Sequence, residues 1–275
     1  ETTANGLVNT NGNTFTLAGS VGGAGSISNV GGGNLVLNGA NSFTNLGINT
    51  GTVTLGSNTA AGIGGIALNN NATLAAGAAG LVIGNAIETT ANGLVNTNGN
   101  TFTLAGSVGG AGSISNVGGG NLVLNGNNSF AGGLGINTGT VTLGSNTAAG
   151  LADIALNSDT TLAAGAAGLV INNTITTTGN GLVNTNGTTF TLAGSIGGAG
   201  SISNVGGGNL VLNGANTFTN LGINTGTVTL GTNTAAGVGG IALNNNATLA
   251  AGANGLVIGN AIETTANGLV NTGGN

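Results

Sequence analysis

The sequence contains no lysine, arginine, histidine, cysteine, methionine, tryptophan, tyrosine or proline among its 275 residues. Nucleic-acid binding depends on basic side chains that neutralise phosphates, and anionic membrane surfaces attract the same side chains. The absence of lysine and arginine therefore excludes both kinds of partner. The absence of cysteine excludes disulfide bonds and thiolate metal sites, and it removes any indication of the redox compartment.

Acidic side chains are almost as rare. They are Glu1, Glu88, Asp153, Asp159 and Glu263, so that charged residues make up 2% of the chain, against about 25% in ordinary domains. Acid–base catalysis and calcium binding both need several such groups close together. We therefore expect no catalytic residue, no metal ligand and no cofactor-binding residue, and we predict that the protein is not an enzyme.

Long apolar runs are also missing. No stretch of 18 apolar residues occurs, and no charged-then-apolar leader opens the chain. We therefore expect this segment neither to carry its own export signal nor to insert into a membrane as a helix.

What the chain does contain is repetition. The phrase ETTANGLVNTNGN at 1–13 recurs at 88–100, with close variants at 176–188 and 263–275. The repeats therefore span 1–87, 88–175 and 176–262, and a partial fourth repeat spans 263–275. The longer second repeat has its additional residue near 131–133, in a glycine-rich turn. We interpret residues 1–275 as a single solenoid segment of a longer array with no natural cap at either end.

The repeats show that the acids are not a catalytic set. Asp153 and Asp159 form the one pair that a glycoside hydrolase could use, but Gly65 and Asn71 stand at the matching places of the first repeat. We interpret both aspartates as surface substitutions. Glu1, Glu88 and Glu263 recur in register, whereas Thr176 fills their place at the start of the third repeat, so we expect a solvated or turn-capping role.

Three possible binding motifs are also better explained by local structure than by a ligand. The segment GGAGSIS at 22–28 lacks the aspartates of calcium-binding solenoid repeats, and glycine-rich segments lack the lysine and the following helix of a phosphate-binding loop. Asn-x-Ser/Thr sequons arise readily in a chain this rich in asparagine and threonine. We expect turns at these places rather than sites.

Short segments with period-two alternation fill each repeat. In TFTL (14–17), NLVL (34–37) and TVTL (52–55) the apolar side chains fall on one face and the threonine, asparagine or valine side chains on the other. Asparagine and glycine follow nearly every segment, as turns require. The pattern predicts many short, half-buried β-strands and no helix longer than a turn.

The spacing of these strands favours a parallel β-solenoid. Equivalent apolar pairs fall about 20 residues apart, which suits one coil, so one repeat supplies four or five coils and the chain about 13 to 15. At about 4.8 Å per coil the rod is roughly 60 to 70 Å long. A barrel or sandwich, and a disordered or amyloid-like chain, are the alternatives, although six phenylalanines as the sole aromatic residues argue against an outer-membrane barrel.

The phrase at 31–57, GGGNLVLNGANSFTNLGINTGTVTLGS, resembles the passenger-associated transport repeat of Gram-negative autotransporter proteins. The residues that carry the resemblance are Gly33, Leu35, Leu37, Gly39, Asn41, Phe43 and Thr44, followed by Gly51, Val53 and Leu55. The second copy, with Asn128, Phe130, Gly132 and Gly133, approaches the Gly-Gly step of that family. The matches cover about a third of the chain.

The resemblance implies a right-handed parallel β-helix on the bacterial cell surface, exported through the outer membrane. We therefore predict a non-enzymatic extracellular stalk or fibre that supports adhesion or scaffolding. Its partners would be neighbouring repeats of the same array, copies stacked end to end, or a host or neighbouring cell.

Two alternatives stay open. One is a self-assembling filament subunit that stacks end to end. The other is an ice- or carbohydrate-binding solenoid, because Thr14 with Thr16 and Thr52 with Thr54 resemble a small threonine ladder.

The six phenylalanines are the largest apolar side chains that the sequence offers to a core. Each repeat carries two, and counterparts in different repeats should face the same way. We predict two sets of equivalent inward-facing residues: Phe15, Phe102 and Phe190, and Phe43, Phe130 and Phe218.

Overall fold

A computed structural model describes residues 1–273 and consists of short β-strands joined by turns. The strands form a parallel β-solenoid of about 13 coils, which confirms the predicted fold class. Within residues 1–273, no helix is long and apolar enough to cross a membrane. The chain divides into two compact units: unit 1 comprises Glu1–Gly139 and Gly150–Ala152, and unit 2 comprises Thr140–Ala149 and the residues from Asp153 onward.

The strands of unit 1 belong to three of the four sheets. The first contains β1 (Gly6–Val8), β3 (Ile27–Asn29), β5 (Leu46–Ile48), β7 (Ile66–Leu68), β10 (Ile87–Thr89) and β13 (Val108–Gly110). The second contains β2 (Thr14–Leu17), β4 (Asn34–Leu37), β6 (Thr52–Leu55), β8 (Thr73–Ala76), β11 (Asn92–Asn96), β14 (Ser113–Asn116) and β16 (Leu134–Ile136). The third contains β9 (Leu81–Ile83), β12 (Thr101–Leu104) and β15 (Asn121–Leu124).

The strands of unit 2 also belong to three of the four sheets. The first contains β18 (Ile154–Leu156), β21 (Ile175–Thr177) and β24 (Ile196–Gly198). The second contains β17 (Thr140–Leu143), β19 (Thr161–Ala164), β22 (Asn180–Asn184), β25 (Ser201–Asn204), β27 (Leu221–Ile223), β29 (Ile241–Leu243) and β31 (Ile262–Thr264). The third contains β20 (Leu169–Ile171), β23 (Thr189–Leu192), β26 (Asn209–Leu212), β28 (Thr227–Leu230), β30 (Thr248–Ala251) and β32 (Leu269–Asn271).

Neighbouring strands in a sheet lie one coil apart. Phe15 pairs with Leu35, Leu35 with Val53, Val53 with Leu74, and Leu74 with Val95, all in parallel register. The steps in this series show that one coil takes 18 to 21 residues. The predicted coil of about 20 residues is therefore confirmed.

The sequence repeat does not contain a whole number of coils. Phe102 is the counterpart of Phe15 one repeat later, yet it lies on β12 in the third sheet, seven residues beyond Val95 of β11 in the second. One repeat thus makes four coils plus one sheet, or four and one third turns. In unit 2, β31 likewise lies four coils beyond β22, and Leu269 of β32, the counterpart of Leu182 of β22, follows on the next sheet.

Alternation determines which side chains enter the core. Leu35, Leu37, Val53 and Leu55 are fully buried, while the residues between them point outward and are partly exposed. The β-branched residues Thr and Val suit the pleated backbone of these strands. The turns between strands use left-handed residues such as Asn11, whose φ is 49°, as the Asn-Gly punctuation predicts.

A buried asparagine at one corner of the first and third repeats connects three coils. The Asn41 side chain accepts a hydrogen bond from Val21 N (2.7 Å) and donates one to Ala60 O (2.7 Å). Asn216 repeats the arrangement in unit 2 with Ile196 N and Ala235 O. Because the buried amide satisfies one backbone group in the coil before and one in the coil after, it holds three coils in register.

Burial confirms the predicted inward orientation for five phenylalanines, whereas Phe15 faces inward without being buried. Phe43, Phe130, Phe218, Phe102 and Phe190 are fully buried. Phe15 is 48% exposed, although it lies in the same inward column, opposite buried Leu35. Phe102 is covered on one side by Leu81 and on the other by Leu122, whereas Phe15 has a strand on one side alone. Its exposure therefore reflects the missing neighbour and not its own sequence.

The difference between Phe102 and Phe15 leads to a stability prediction. Phe102→Ala should lower the free energy of unfolding by about 3 to 5 kcal/mol, because it leaves a cavity between two coils. Phe15→Ala removes a half-exposed ring and should cost roughly 1 kcal/mol. Urea denaturation followed by circular dichroism measures both values. Equal losses for the two variants would contradict the assignment of Phe102 to the covered core.

A second prediction concerns the asparagine corner. Asn216→Ala leaves Ile196 N and Ala235 O without their partner in a buried place, so we expect a loss of about 2 to 4 kcal/mol. Thr217→Ala is the matched control, because Thr217 is the next residue and faces solvent. The same denaturation measurement compares them, and similar midpoints for both variants would show that the amide does not hold the coils.

Candidate binding surfaces

The two aspartates considered as a hydrolytic pair lie at opposite ends of one strand. Asp153 is exposed immediately before β18, and Asp159 is exposed in the turn that follows it. With a rise of about 3.3 Å per strand residue, their Cα atoms are more than about 10 Å apart. Retaining glycosidases hold their carboxyl groups about 5 Å apart and inverting ones up to about 9.5 Å. The structure therefore does not bring these two residues together.

Asp159 occupies a turn position. Its φ of 58° equals that of Asn71, the counterpart in the first repeat, so both residues adopt the left-handed conformation. Aspartate and asparagine tolerate this conformation better than most residues. The Ser158 hydroxyl donates a long hydrogen bond of 3.4 Å to the Asp159 carboxylate. The substitution thus preserves the turn.

Glu88 lies on a shallow groove in unit 1. Glu88 points outward from the middle of β10, on the first sheet, and is exposed. The groove has a volume of about 400 Å³. Its lining residues are Asn45, Gly65, Ile66, Ala67, Ala86, Ile87, Glu88, Ser107, Gly109 and Ser129. Most of the outward positions are glycine, alanine or serine, and their small side chains leave the depression.

The groove floor at Gly109 lies between two polar groups. A Cβ atom at Gly109 would lie 3.2 Å from Glu88 Oε2 and 3.3 Å from Ser129 Oγ. The carboxylate and the hydroxyl therefore flank the same point of the floor. Two coils before Glu88, the Asn45 side chain accepts a hydrogen bond from Gly65 N (3.0 Å) and borders the other side of the groove.

Unit 2 contains the counterpart of this groove around Glu263. Its volume is about 460 Å³, and six of its lining residues are the equivalents of residues in the Glu88 groove. Those six are Asn220, Gly240, Ile241, Ala242, Ala261 and Glu263. Of the other acids, Glu1 is exposed near the beginning of unit 1.

At the third equivalent surface, around Thr176, the carboxylate lies one strand away from the position of Glu88 and Glu263. Thr176 replaces the glutamate on β21, and Asp153 replaces the glycine that corresponds to Gly65. Ala155 pairs with Thr176, so Asp153 lies two residues away on the adjoining strand. Each of the three equivalent surfaces thus carries one acidic side chain.

These grooves offer mainly hydrogen-bond acceptors. Each presents one carboxylate beside hydroxyl and amide groups, and residues 1–273 contain no group of three acidic side chains that could hold a metal ion. Such a surface can accept hydrogen bonds from hydroxyl or ammonium donors. The grooves were not predicted from the sequence, although the alternation places Gly47, Ala67 and Gly109 at outward positions, where small side chains leave a depression.

The threonine pairs do not form a continuous ladder. In the second sheet of unit 1, successive coils present Thr14 and Thr16, then Asn34 and Val36, then Thr52 and Thr54, then Thr73 and Ala75. The Thr54 hydroxyl also donates to Asn34 Oδ1 at 2.9 Å instead of facing solvent freely. The TFTL segment of the next repeat lies on β12 of another sheet, so the pattern changes face.

We therefore expect no ice-binding activity. A flat ice-binding face needs the same pair on every coil, and here the pair is interrupted after one coil and moves to another sheet after four. Nanolitre osmometry of the purified chain at high concentration should show no thermal hysteresis beyond that of an inert protein at equal concentration. A measurable hysteresis gap would restore the ice-binding alternative.

Comparison with known protein families, with curated proteins and with solved structures found no match to this chain.

Proposed function

We propose that this chain is a non-enzymatic structural segment of an extracellular bacterial surface protein, a stalk or fibre that supports adhesion or cell-surface scaffolding. The observation that carries the proposal is the coil-on-coil architecture. Each strand in the interior of a sheet hydrogen-bonds to one coil before it and one after it, and each inward column packs against its neighbours. In such solenoids stability is approximately a sum over coils, so length follows copy number.

The residues that resemble the autotransporter repeat have structural roles, which supports the proposal. Leu35 and Leu37 are fully buried, Phe43 fills a corner of the core, and Asn41 connects three coils. A motif made of core and corner residues maintains a coil and has no catalytic task. The same resemblance implies a location on the surface of a Gram-negative cell.

The proposed partners are neighbouring repeats of the same array. β1 pairs only with β3, and β2 only with β4, among the strands that the structure describes. A strand edge with free N–H and C=O groups favours pairing with another strand. With a net charge of −5, electrostatic repulsion opposes this little.

The surface location leads to a prediction for intact cells. Antibodies raised against the purified chain should label cells of the source organism without permeabilisation, and proteinase K treatment of the cells should remove the label. Trypsin is the matched control, because a chain without lysine or arginine has no site for it. Labelling that requires permeabilised cells would contradict the proposed location.

A further inference from the structure

The Glu88 groove crosses several coils of unit 1. Four of its lining residues directly precede strands that pair in register on successive coils. They are Asn45, Gly65, Ala86 and Ser107. Ser129 lines the groove on the following coil, where its backbone N–H donates to Val108 O (2.8 Å). At about 4.8 Å per coil, the groove extends for roughly 19 Å. This elongated shape suits a chain-like ligand.

Glycine keeps the groove open at Gly65 without a structural need for it. The φ of Gly65 is not left-handed, and an added Cβ atom would lie 3.5 Å from Ala86 O and 3.7 Å from Asn45 Oδ1, at ordinary contact distances. The second repeat carries Asp153 at the equivalent place, so the fold accepts a side chain there. Gly65 therefore contributes to the open surface and not to the packing of the coils.

Gly109 is a second glycine of this kind. Its φ also lies outside the left-handed region. The atoms nearest to an added Cβ would be Glu88 Oε2 at 3.2 Å and Ser129 Oγ at 3.3 Å, both at the ends of exposed side chains. A hydrogen-bond donor above Gly109 can therefore reach the carboxylate and the hydroxyl together.

The Glu88 carboxylate has no cationic side chain to pair with, because the chain contains no lysine, arginine or histidine. Hydroxyl and amide groups accompany it along the groove. Ser107 and Ser129 are exposed, and the Asn45 side-chain oxygen accepts from Gly65 N, which leaves its NH₂ group for a ligand oxygen. The groove thus combines one place for a cation with several places for hydroxyl groups.

We propose that the Glu88 groove binds an extended amino-sugar chain, such as a β-1,4-linked glucosamine polymer. A protonated amine lies over Gly109 and donates to the Glu88 carboxylate and the Ser129 hydroxyl, while sugar hydroxyls bond to Ser107 and Asn45. One unit of an extended β-1,4-linked sugar chain advances by about the same distance as one coil, about 4.8 Å, so successive units meet successive coils. An extended peptide advances by about 3.3 Å per residue and does not keep this step.

Charge selects the amino sugar among polysaccharides. A hydrogen bond between an ammonium group and a carboxylate is roughly twice as strong as one between neutral groups, so Glu88 binds an amine in preference to a hydroxyl. The net charge of −5 repels acidic polysaccharides.

The Glu263 groove offers the same chemistry in unit 2. Asn220 accepts a hydrogen bond from Gly240 N (3.0 Å), as its counterpart does in unit 1. An added Cβ atom at Gly240 would also meet its neighbours at 3.6 Å or more. Asn224 and Asn244 line this groove and add further amide groups. The chain therefore has two sites of the proposed kind.

The third equivalent surface lacks the cation site. Gly197 is the counterpart of Gly109, and an added Cβ atom there would lie 3.0 Å from Thr217 Oγ1. Thr176 stands in place of the glutamate, so the floor presents hydroxyl groups without the carboxylate. This surface supplies a control within the same chain.

Fluorescence anisotropy of a labelled glucosamine hexamer tests the proposal, in a mildly acidic buffer that keeps the amines protonated. E263Q leaves the Glu88 groove as the one complete site. In that background E88Q should weaken binding by roughly fivefold, as expected for loss of an exposed ion pair. D159N/E263Q is the matched control, because it has the same net charge and Asp159 lies outside the grooves, and it should bind like E263Q alone. Equal affinities of the two double variants would overturn the proposal.

The N-acetylated hexamer supplies the control for the ligand, because it has the same sugar chain without the charged amines. It should bind more weakly to the full chain than the glucosamine hexamer does. Equal binding of the two hexamers, or no binding of the glucosamine hexamer at millimolar concentration, would overturn the proposal.

A steric variant tests the groove without changing its charge. Ala67 points outward on the groove floor, and A67L in the E263Q background should fill the depression and weaken binding of the hexamer by severalfold. A155L in the same background is the matched control, because Ala155 is the counterpart of Ala67 on the third surface. Circular dichroism checks that both variants remain folded, and equal weakening by both would contradict binding in the groove.

This binding site goes beyond the proposed structural role and rests on that role only for its use outside the cell. The tests are separate, because sugar binding uses the purified chain and surface labelling uses intact cells. Failure of hexamer binding would leave the surface location untouched, and failure of labelling would leave the groove untouched.

Discussion

Hydrogen bonding between successive coils is the constraint on which the rest of this structure depends. The backbone groups of a strand in a parallel solenoid find their partners in the coil before and the coil after, so residues about 20 positions apart must fit each other. The residues that stack inward from coil to coil are therefore mostly aliphatic or aromatic. Where backbones approach most closely the side chain must be absent: a Cβ atom at Gly51, whose φ is 71°, would overlap the carbonyl oxygen of Gly33 one coil away. Glycines such as Gly51 follow from this stacking.

Polar groups in the core extend the same principle. A buried amide is costly unless it is paired, and here pairing takes place between coils. Asn29 donates to Thr50 O and Thr52 O on the next coil, and Asn204 makes the equivalent bonds to Thr225 O and Thr227 O. These asparagines fix the register at the turns, where the strand ladder is interrupted.

The strands and their inward faces could be read from the sequence, because alternation in NLVL and TVTL is a local property. The coil length followed from the spacing of those segments. The exposure of Phe15 could not be read, because it depends on whether another coil covers the ring. The fractional turn of the repeat could not be predicted from the sequence either, because it depends on the summed length of coils that differ in size. The grooves around Glu88 and Glu263 required knowledge of which coils adjoin, since Gly109 and Ser129 lie on different coils from Asn45.

The fractional turn has a consequence for how such a gene can change. Near-identical DNA segments readily gain or lose a copy by unequal recombination. Each added repeat would lengthen the solenoid by about 21 Å at about 4.8 Å per coil. It would also rotate every residue beyond the insertion by a third of a turn about the axis. Only changes by three copies would return a downstream feature to its original side. Copy number therefore determines the direction in which such a feature faces as well as its distance along the axis.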